Sequence, residues 1–556
     1  MFAMEPQRNW LMVKSQRLSA AWPGLNCCLM TLIRTLSKFL FVLVSCVAAR
    51  GDQATLPRIL LIGDSISIGY TPFVSEIYEG RAEIVRNPGN AQHTGTGLEK
   101  LDEWLGDGNW DLIHFNWGLH DLCYRHPDSA NQGRRDKERG FLTTTLEQYE
   151  TNLDALVRRL KQTGARLVWA NTSYVPDGEL GRKKGDELRY NAVAEKVMKR
   201  YGVPTNDIRS LTASFPANRF RARGDVHYTK DGSQAIALQV ADAIDRAMPE
   251  LAFKVGMIGL DTSHVTAFTS RFNNPDHESH VPGARVVAAY KGGSPDIPSS
   301  ADRINGFTNT LVNDYGVTLY GSIEELCQNV DVILLESVDG RPHLEQVIPV
   351  IEAGLPVFID KPIAGSLKDA IQIYKLAQKH GVHCWSSSSL RFYPGVVDVA
   401  KAKKGDLKGA FSYGPASIEP THPDFFWYGI HPTEALFTVM GTGVSTVTRT
   451  FTPDNDVITG IWESGAVGVV YGIRNSKRAY KVTAFGIEAI VEQERGGDYT
   501  PMLREIVNGF RTGEVPVSLE ETIEIYAFME AADESKRRGG VPVSVDEVLR
   551  MNGWER

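Results

Sequence analysis

The chain has 556 residues, 42% hydrophobic and 23% charged, with 60 Lys and Arg against 67 Asp and Glu for a formal charge of −7. That balance suits a soluble globular protein of several domains and excludes collagen-like, disordered and polytopic membrane chains. It also lacks the basic stripe of a nucleic-acid binder, and six cysteines are too few for a disulfide framework.

The strongest apolar run lies near the N-terminus. Arg34 and Lys38 precede Phe39-Leu-Phe-Val-Leu-Val44, and Ser45-Cys46-Val-Ala-Ala49 follows. Basic, apolar and small residues in that order describe a secretory signal, and the run is too short to span a bilayer. Met30 is a natural start for such a signal. Two readings stay open: cleavage after Ala49, or lipidation at Cys46, because Leu43-Val44-Ser45-Cys46 resembles a lipobox. Both predict an exported protein, periplasmic or extracellular, with a leader over residues 1–50 and no transmembrane span beyond it.

Next comes Arg58-Ile-Leu-Leu-Ile62, a buried-strand pattern that runs into Gly63-Asp64-Ser65. A strand ending in a tight turn before Ser can present a hydroxyl at a sheet edge. Apolar strands over 111–115 and 166–170 alternate with helical stretches over 146–163 and 187–201. A final amphipathic helix covers 233–248, so residues 56–250 read as a layered α/β domain. Acyl transfer through a serine needs an imidazole to take its proton, a carboxylate to orient the imidazole, and donors for the oxyanion. Gly224-Asp225-Val226-His227 stands before that last helix, so residues of these types are present alongside Ser65.

These blocks resemble the SGNH (GDSL-type) hydrolases. The resemblance makes Gly63-Asp64-Ser65 the nucleophile block and Gly89, in Asn87-Pro-Gly89-Asn90, the oxyanion-hole glycine. Asn116-Trp-Gly118-Leu-His120-Asp121 matches the third block, usually Gly-x-Asn-Asp, with His120 in place of Asn. Asn116 is a substitute donor. The last block, usually Asp-x-x-His, is Asp225-Val-His227 here. The polar stretch 125–139 reads as a solvated loop.

A second βαβ series begins at Phe253-Lys-Val-Gly-Met-Ile-Gly259. Strand-like runs recur over 285–290, 317–320, 331–336, 356–360 and 383–387, with helices over 342–353 and 366–380. That alternation predicts a doubly wound parallel sheet over 253–390. Beyond Arg391 the pattern turns β-rich and Gly-punctuated, with a helix over 519–537, which predicts an α+β domain over 391–556.

This half resembles the Gfo/Idh/MocA oxidoreductases. Asp360-Lys361-Pro362 is similar to the family's Glu-Lys-Pro motif, which implies that Lys361 binds substrate beside a nicotinamide. His431, in Gly429-Ile-His431-Pro-Thr-Glu434, matches the histidine that assists proton transfer, and Glu434 stands for the acid after it. The dinucleotide loop is Gly256-Met-Ile-Gly259-Leu-Asp261-Thr262-Ser263-His264, with one glycine in register and Asp261 where phosphate approaches. Lys291 after the second strand suits a 2′-phosphate, so the cofactor expected is NADP or NAD. Arg391 is a candidate ligand contact, and His343 starts a helix. Asp276, His277, Glu278 and His280 form an exposed loop, and no Cys/His spacing supports structural zinc, so no metal is expected.

The chain thus reads as an exported pairing of a serine esterase for carbohydrate-linked esters with an NAD(P)-dependent oxidoreductase for a sugar-like alcohol, in a possible homo-oligomer. The alternative is an esterase alone, followed by a redox-inactive carbohydrate-binding or structural half.

Overall fold

A computed structural model describes residues 56–106 and 108–555; the leader readings, including Cys46, lie outside the described residues. The N-terminal sheet starts from the apolar run of β1 (Arg58–Ile62), buried along nearly its whole length. With β2 (Glu83–Arg86), β3 (Leu112–Phe115), β4 (Arg166–Ala170) and β5 (Thr205–Asn206) it forms an all-parallel sheet in the order β2-β1-β3-β4-β5. A parallel sheet must be covered on both faces. Helices Thr94–Leu105, Leu146–Lys161 and Asp186–Tyr201 build one core, and α1 (Ser65–Ile77) with α2 (Lys230–Ala247) builds the other. The edge strands β2 and β5 escape a sequence reading because they are short and only partly apolar.

The second sheet comprises β6 (Phe253–Ile258), β7 (Ala284–Tyr290), β8 (Thr318–Leu319), β9 (Val332–Leu335), β10 (Val357–Asp360) and β11 (Cys384–Ser387). Its order is β8-β7-β6-β9-β10-β11, all parallel. The connections reverse direction at β6, which opens a crevice at the carboxyl ends of β6, β9 and β10. Helix α3 (His264–Asn273) starts at that crevice.

The third sheet has seven strands: β12 (Leu407–Pro415), β13 (Val444–Phe451), β14 (Asn455–Trp462), β15 (Val467–Ile473), β16 (Lys481–Gly486), β17 (Ile490–Glu492) and β18 (Val543–Ser544). The order is β17-β16-β12-β15-β14-β13-β18, antiparallel except between β12 and β15. Helices α4 (Ile430–Met440) and α6 (Leu519–Arg537) lie between this sheet and the Rossmann helices, in one continuous core. The sheet's other side leaves Ile461, Val467 and Phe485 exposed.

Pro57–Arg556 forms a single unit by its internal contacts. The N-terminal and Rossmann regions meet where α2 approaches α5 (Thr500–Thr512). There Arg511, almost fully buried, pairs with Asp242 at 2.7 Å and Asp245 at 2.5 Å, and Tyr78 Oη donates to Asp245 at 2.7 Å. Among the described residues no helix is long and apolar enough to cross a membrane, and Cys123, Cys327 and Cys384 are free and buried.

Candidate active sites

Ser65 occupies the first position of α1, where its N–H has no intrahelical acceptor. Asp64 caps this helix, its Oδ1 accepting from Ile66 N at 2.9 Å. Ser65 Oγ lies 2.9 Å from His227 Nε2, and His227 Nδ1 lies 2.6 Å from Asp225 Oδ1. The same oxygen accepts from His227 N at 3.0 Å. The Asp-x-His spacing therefore reaches the ring nitrogen because backbone and ring converge on one carboxylate oxygen. Burial opposes ionisation of Asp225, but the His227 ring and backbone hydrogen bonds outweigh it and hold the carboxyl below the usual range. The chain brings together three residues 162 positions apart at their extremes.

Around them, the loop after β2 is tied to β1 by Asn87 Oδ1, which accepts from Gly63 N at 2.9 Å. Gly89 follows in a left-handed conformation, φ +66°. Gly118 packs so tightly that an added Cβ would fall 1.9 Å from Thr172 Oγ1. Arg182, held to the buried Glu179 at 2.9 Å, donates to Leu119 O at 2.6 Å and braces the turn carrying His120. Arg125 Nη2 lies 3.4 Å from His120 Nδ1. A guanidinium only donates, so Nδ1 accepts and a neutral ring carries its proton on Nε2. Burial, reinforced by Arg182 and Arg125 against Asp64, pushes His120 down to about 4. Arg125 and Arg182 went unread in the sequence because no local pattern links them to His120. Asn116, the substitute donor, has its Nδ2 donating to Ala170 O at 2.7 Å, which ties the ends of β3 and β4.

In the second half, a cavity of about 460 Å³ opens at the carboxyl ends of the Rossmann strands. Thr262, Ser263 and His264 line one side, and Lys361 and His431 another. Tyr393, Trp427, Tyr428, Tyr480 and Tyr499 complete much of the wall; Trp427 stands where the resemblance places an acid, four residues before His431. Ser388 Oγ contacts His431 Nδ1 at 2.7 Å, and burial, with Lys361 adding to it, keeps the His431 imidazole well below its ordinary range and hence neutral.

The dinucleotide loop is rebuilt rather than open. Gly259, at φ +82°, passes so near Ser337 that a Cβ would meet its backbone nitrogen at 2.5 Å. Asp261 is fully buried, Oδ1 accepting from Val338 N at 2.9 Å and Oδ2 from Ser300 Oγ at 2.6 Å. Its charge is thus met by two donors from neighbouring segments. Gly256 corrects the sequence reading: it is a strand residue packed on Ile333, Val330 and Leu326, not a cofactor contact. Arg391 is likewise no ligand contact, being buried between Glu434 and Glu521 at 2.7 Å each; Glu434 is thereby committed to the same pair. Pro362 closes on Gly340 of the neighbouring loop, and the His343 ring sits between the carbonyls of Ser337 and Ile363. Lys291 is exposed and donates to Asn305 Oδ1 at 2.8 Å.

These residues fit a nicotinamide dinucleotide. The α3 N-terminus has no side-chain cap, so its positive end is open to an anion even though Val265 N donates to Thr262 O at 3.2 Å. Asp261 is turned into the fold, and the cavity joins α3 to Lys361 and His431. Thr262, Ser263 and the Gly259 turn would hold the pyrophosphate, and Lys291 is placed for a ribose phosphate.

Three further groups converge here. His264, Glu336 and Asp360 each offer a ligand-type atom, all within 4.8 Å of one another. His264 Nδ1 lies 2.8 Å from Asp360 Oδ2 and 3.7 Å from Glu336 Oε2; Lys361 Nζ lies 3.7 Å from Asp360 Oδ2. Burial, with Asp360 alongside, raises Glu336 above the usual carboxylate range. The expectation of no metal rested on spacing along the chain, whereas this group forms only in space.

A Ser–His–Asp relay on a parallel sheet and a Rossmann crevice thus share one chain. Residues 61–235 match the GDSL-like lipase/acylhydrolase family, and residues 253–388 match an oxidoreductase family with an NAD-binding Rossmann fold. The chain is a fusion of these two kinds of domain. A curated myo-inositol dehydrogenase, Hyg17 of Streptomyces leeuwenhoekii, is 32% identical over 82 residues. That match covers 15% of this chain and spans only a quarter, 25%, of the relative's length. Among solved structures, a probable dehydrogenase from Thermotoga maritima is 20% identical, with a TM-score of 0.44 over 53% of this chain and 99% of that one. The myo-inositol dehydrogenase of Lactobacillus casei, in complex with NAD(H) and myo-inositol, is 15% identical, with a TM-score of 0.44 over 53% and 96%.

Proposed function

We propose that the chain is an exported two-site enzyme: a serine esterase acting on acyl esters of carbohydrates, joined to an NAD(P)-dependent oxidoreductase acting on a sugar-like or cyclitol alcohol. The observation that carries the reading is the relay Ser65 Oγ–His227–Asp225 at 2.9 and 2.6 Å. Ser65 Oγ attacks the acyl carbonyl while His227 Nε2 takes its proton. The resulting oxyanion receives hydrogen bonds from Ser65 N–H, Gly89 N–H and His120 Nε2–H. His227 returns the proton to the leaving alcohol, and water repeats the sequence to free the acid.

In the second site, a bound nicotinamide supplies the hydride acceptor. Lys361 Nζ holds the reacting hydroxyl and neutral His431 accepts its proton. The alcohol released by the first site is the kind of substrate the second oxidises. The basic–apolar–small order of the leader supports export, and the Rossmann-family match supports the cofactor.

Hydrolysis of a model acyl ester tests the first half: wild type is active and Ser65→Ala loses on the order of 10³-fold or more in kcat. Activity unchanged in Ser65→Ala would sink the relay. Mass spectrometry of the native protein after NAD and NADP soaking tests the second, and a chain that retains neither favours the redox-inactive alternative.

A further inference from the structure

Native proteins rarely bury polar atoms without partners, because the lost hydration is not recovered. The cluster at the carboxyl ends of β6, β9 and β10 does so repeatedly. Among the described residues, His264 Nδ1, both carboxylate oxygens of Glu336 and both of Asp360 make no hydrogen bond. Glu336 is 0% and Asp360 1% exposed. His264 Nδ1 and Asp360 Oδ2 are near, at 2.8 Å, yet lack the alignment of a hydrogen bond.

Two ligands at about 2.1 Å from a common ion lie about 3.0–3.4 Å apart for octahedral to tetrahedral angles. The observed 2.8 and 3.7 Å separations from His264 Nδ1 bracket that range. The fold fixes the three donors independently. His264 opens α3, where its ring stacks on Phe268 and meets Tyr499 edge-on. Glu336 follows β9, its N–H bonded to Ile258 O at 2.7 Å, and Asp360 ends β10.

We propose that His264, Glu336 and Asp360 bind one divalent transition-metal ion, Zn²⁺ or Mn²⁺, at the wall of the Rossmann cavity. One imidazole and two carboxylates are the donor types such ions take. The ion gives the unpartnered oxygens a partner. His264 and Lys361 both line the cavity, so an ion held by this group would lie at its edge. Its use there as a Lewis acid on a substrate hydroxyl rests on the oxidoreductase reading; the site itself does not.

The test is metal binding by the full chain, read without any activity. Protein stripped with chelator is titrated with Zn²⁺ by calorimetry and with Co²⁺ by visible absorption. One ion per chain is expected, with affinity falling ~100-fold or more in Glu336→Gln and His264→Ala. His277→Ala and His280→Ala, in the loop rich in Asp, Glu and His, leave binding unchanged. Circular dichroism checks each variant's fold. Should His264→Ala not fold, the wild-type Co²⁺ spectrum still decides, through visible bands of a low-symmetry site with nitrogen and oxygen donors. A stripped wild type that takes up neither ion overturns the proposal. So does binding that survives Glu336→Gln or is lost in the loop variants. Retained metal binding in a protein that holds no dinucleotide would sink the redox reading alone.

Discussion

His120 stands where the resembling hydrolases carry an asparagine, and the structure supplies what the exchange requires. An imidazole donates from one known nitrogen only if something fixes its tautomer. Arg125 does so from the Nδ1 side, and burial keeps the ring neutral above about pH 4. His120→Ala should lower esterase kcat ~10²–10³-fold, the usual loss of one oxyanion donor. His120→Asn, which keeps a side-chain N–H, should recover most of it, with the substrate's KM little changed in both. Steady-state kinetics with a model ester would check this, and equal loss in the two variants would assign His120 to packing instead.

At the scale of elements, Asp121 fastens the same turn to the start of helix Thr94–Leu105. Its Oδ1 accepts from Thr94 N at 3.0 Å and from Thr94 Oγ1 at 2.6 Å. These bonds favour the carboxylate, but burial outweighs them and lifts Asp121 to about 6. A carboxyl raised in the fold binds its proton more tightly there than in the unfolded chain. Its contribution therefore favours folding at low pH and is lost as pH rises from about 4 through about 6. The size is roughly 3 kcal/mol at full ionisation. Melting temperatures from pH 4.5 to 7.5 should show wild type losing stability relative to Asp121→Asn as pH rises. Parallel curves would contradict the shift.

Across the whole molecule, the two catalytic regions are held together by a buried cation. Arg511 on α5 reaches Asp242 and Asp245 on α2, and Tyr78 completes the shell of Asp245. Breaking a buried pair from one side strands the other charge, at about 3–5 kcal/mol. Arg511→Met should therefore destabilise strongly in urea, and adding Asp245→Leu should restore much of the loss. If the double change is no better than the single one, the ion pair is not what couples the regions.

The sequence alone determined the central strands of both parallel sheets and several of the helices that cover them, since continuous apolar runs and 3.6-residue periodicity are local properties; the short edge strands β2 and β5 were not legible. Ser65 was legible because a strand–turn–serine is read along the chain, and Lys361 because its motif is contiguous. Tertiary structure decided what depends on approach through space. It put Asp225 on His227 despite the shortened spacing, committed Asn116 to Ala170, and turned Gly256 into the sheet. It folded Asp261 away from the phosphate path and drew Glu336 beside His264 and Asp360. Those outcomes follow from burial and hydrogen-bond direction, which mostly act between residues tens of positions apart and leave no periodic trace in the chain.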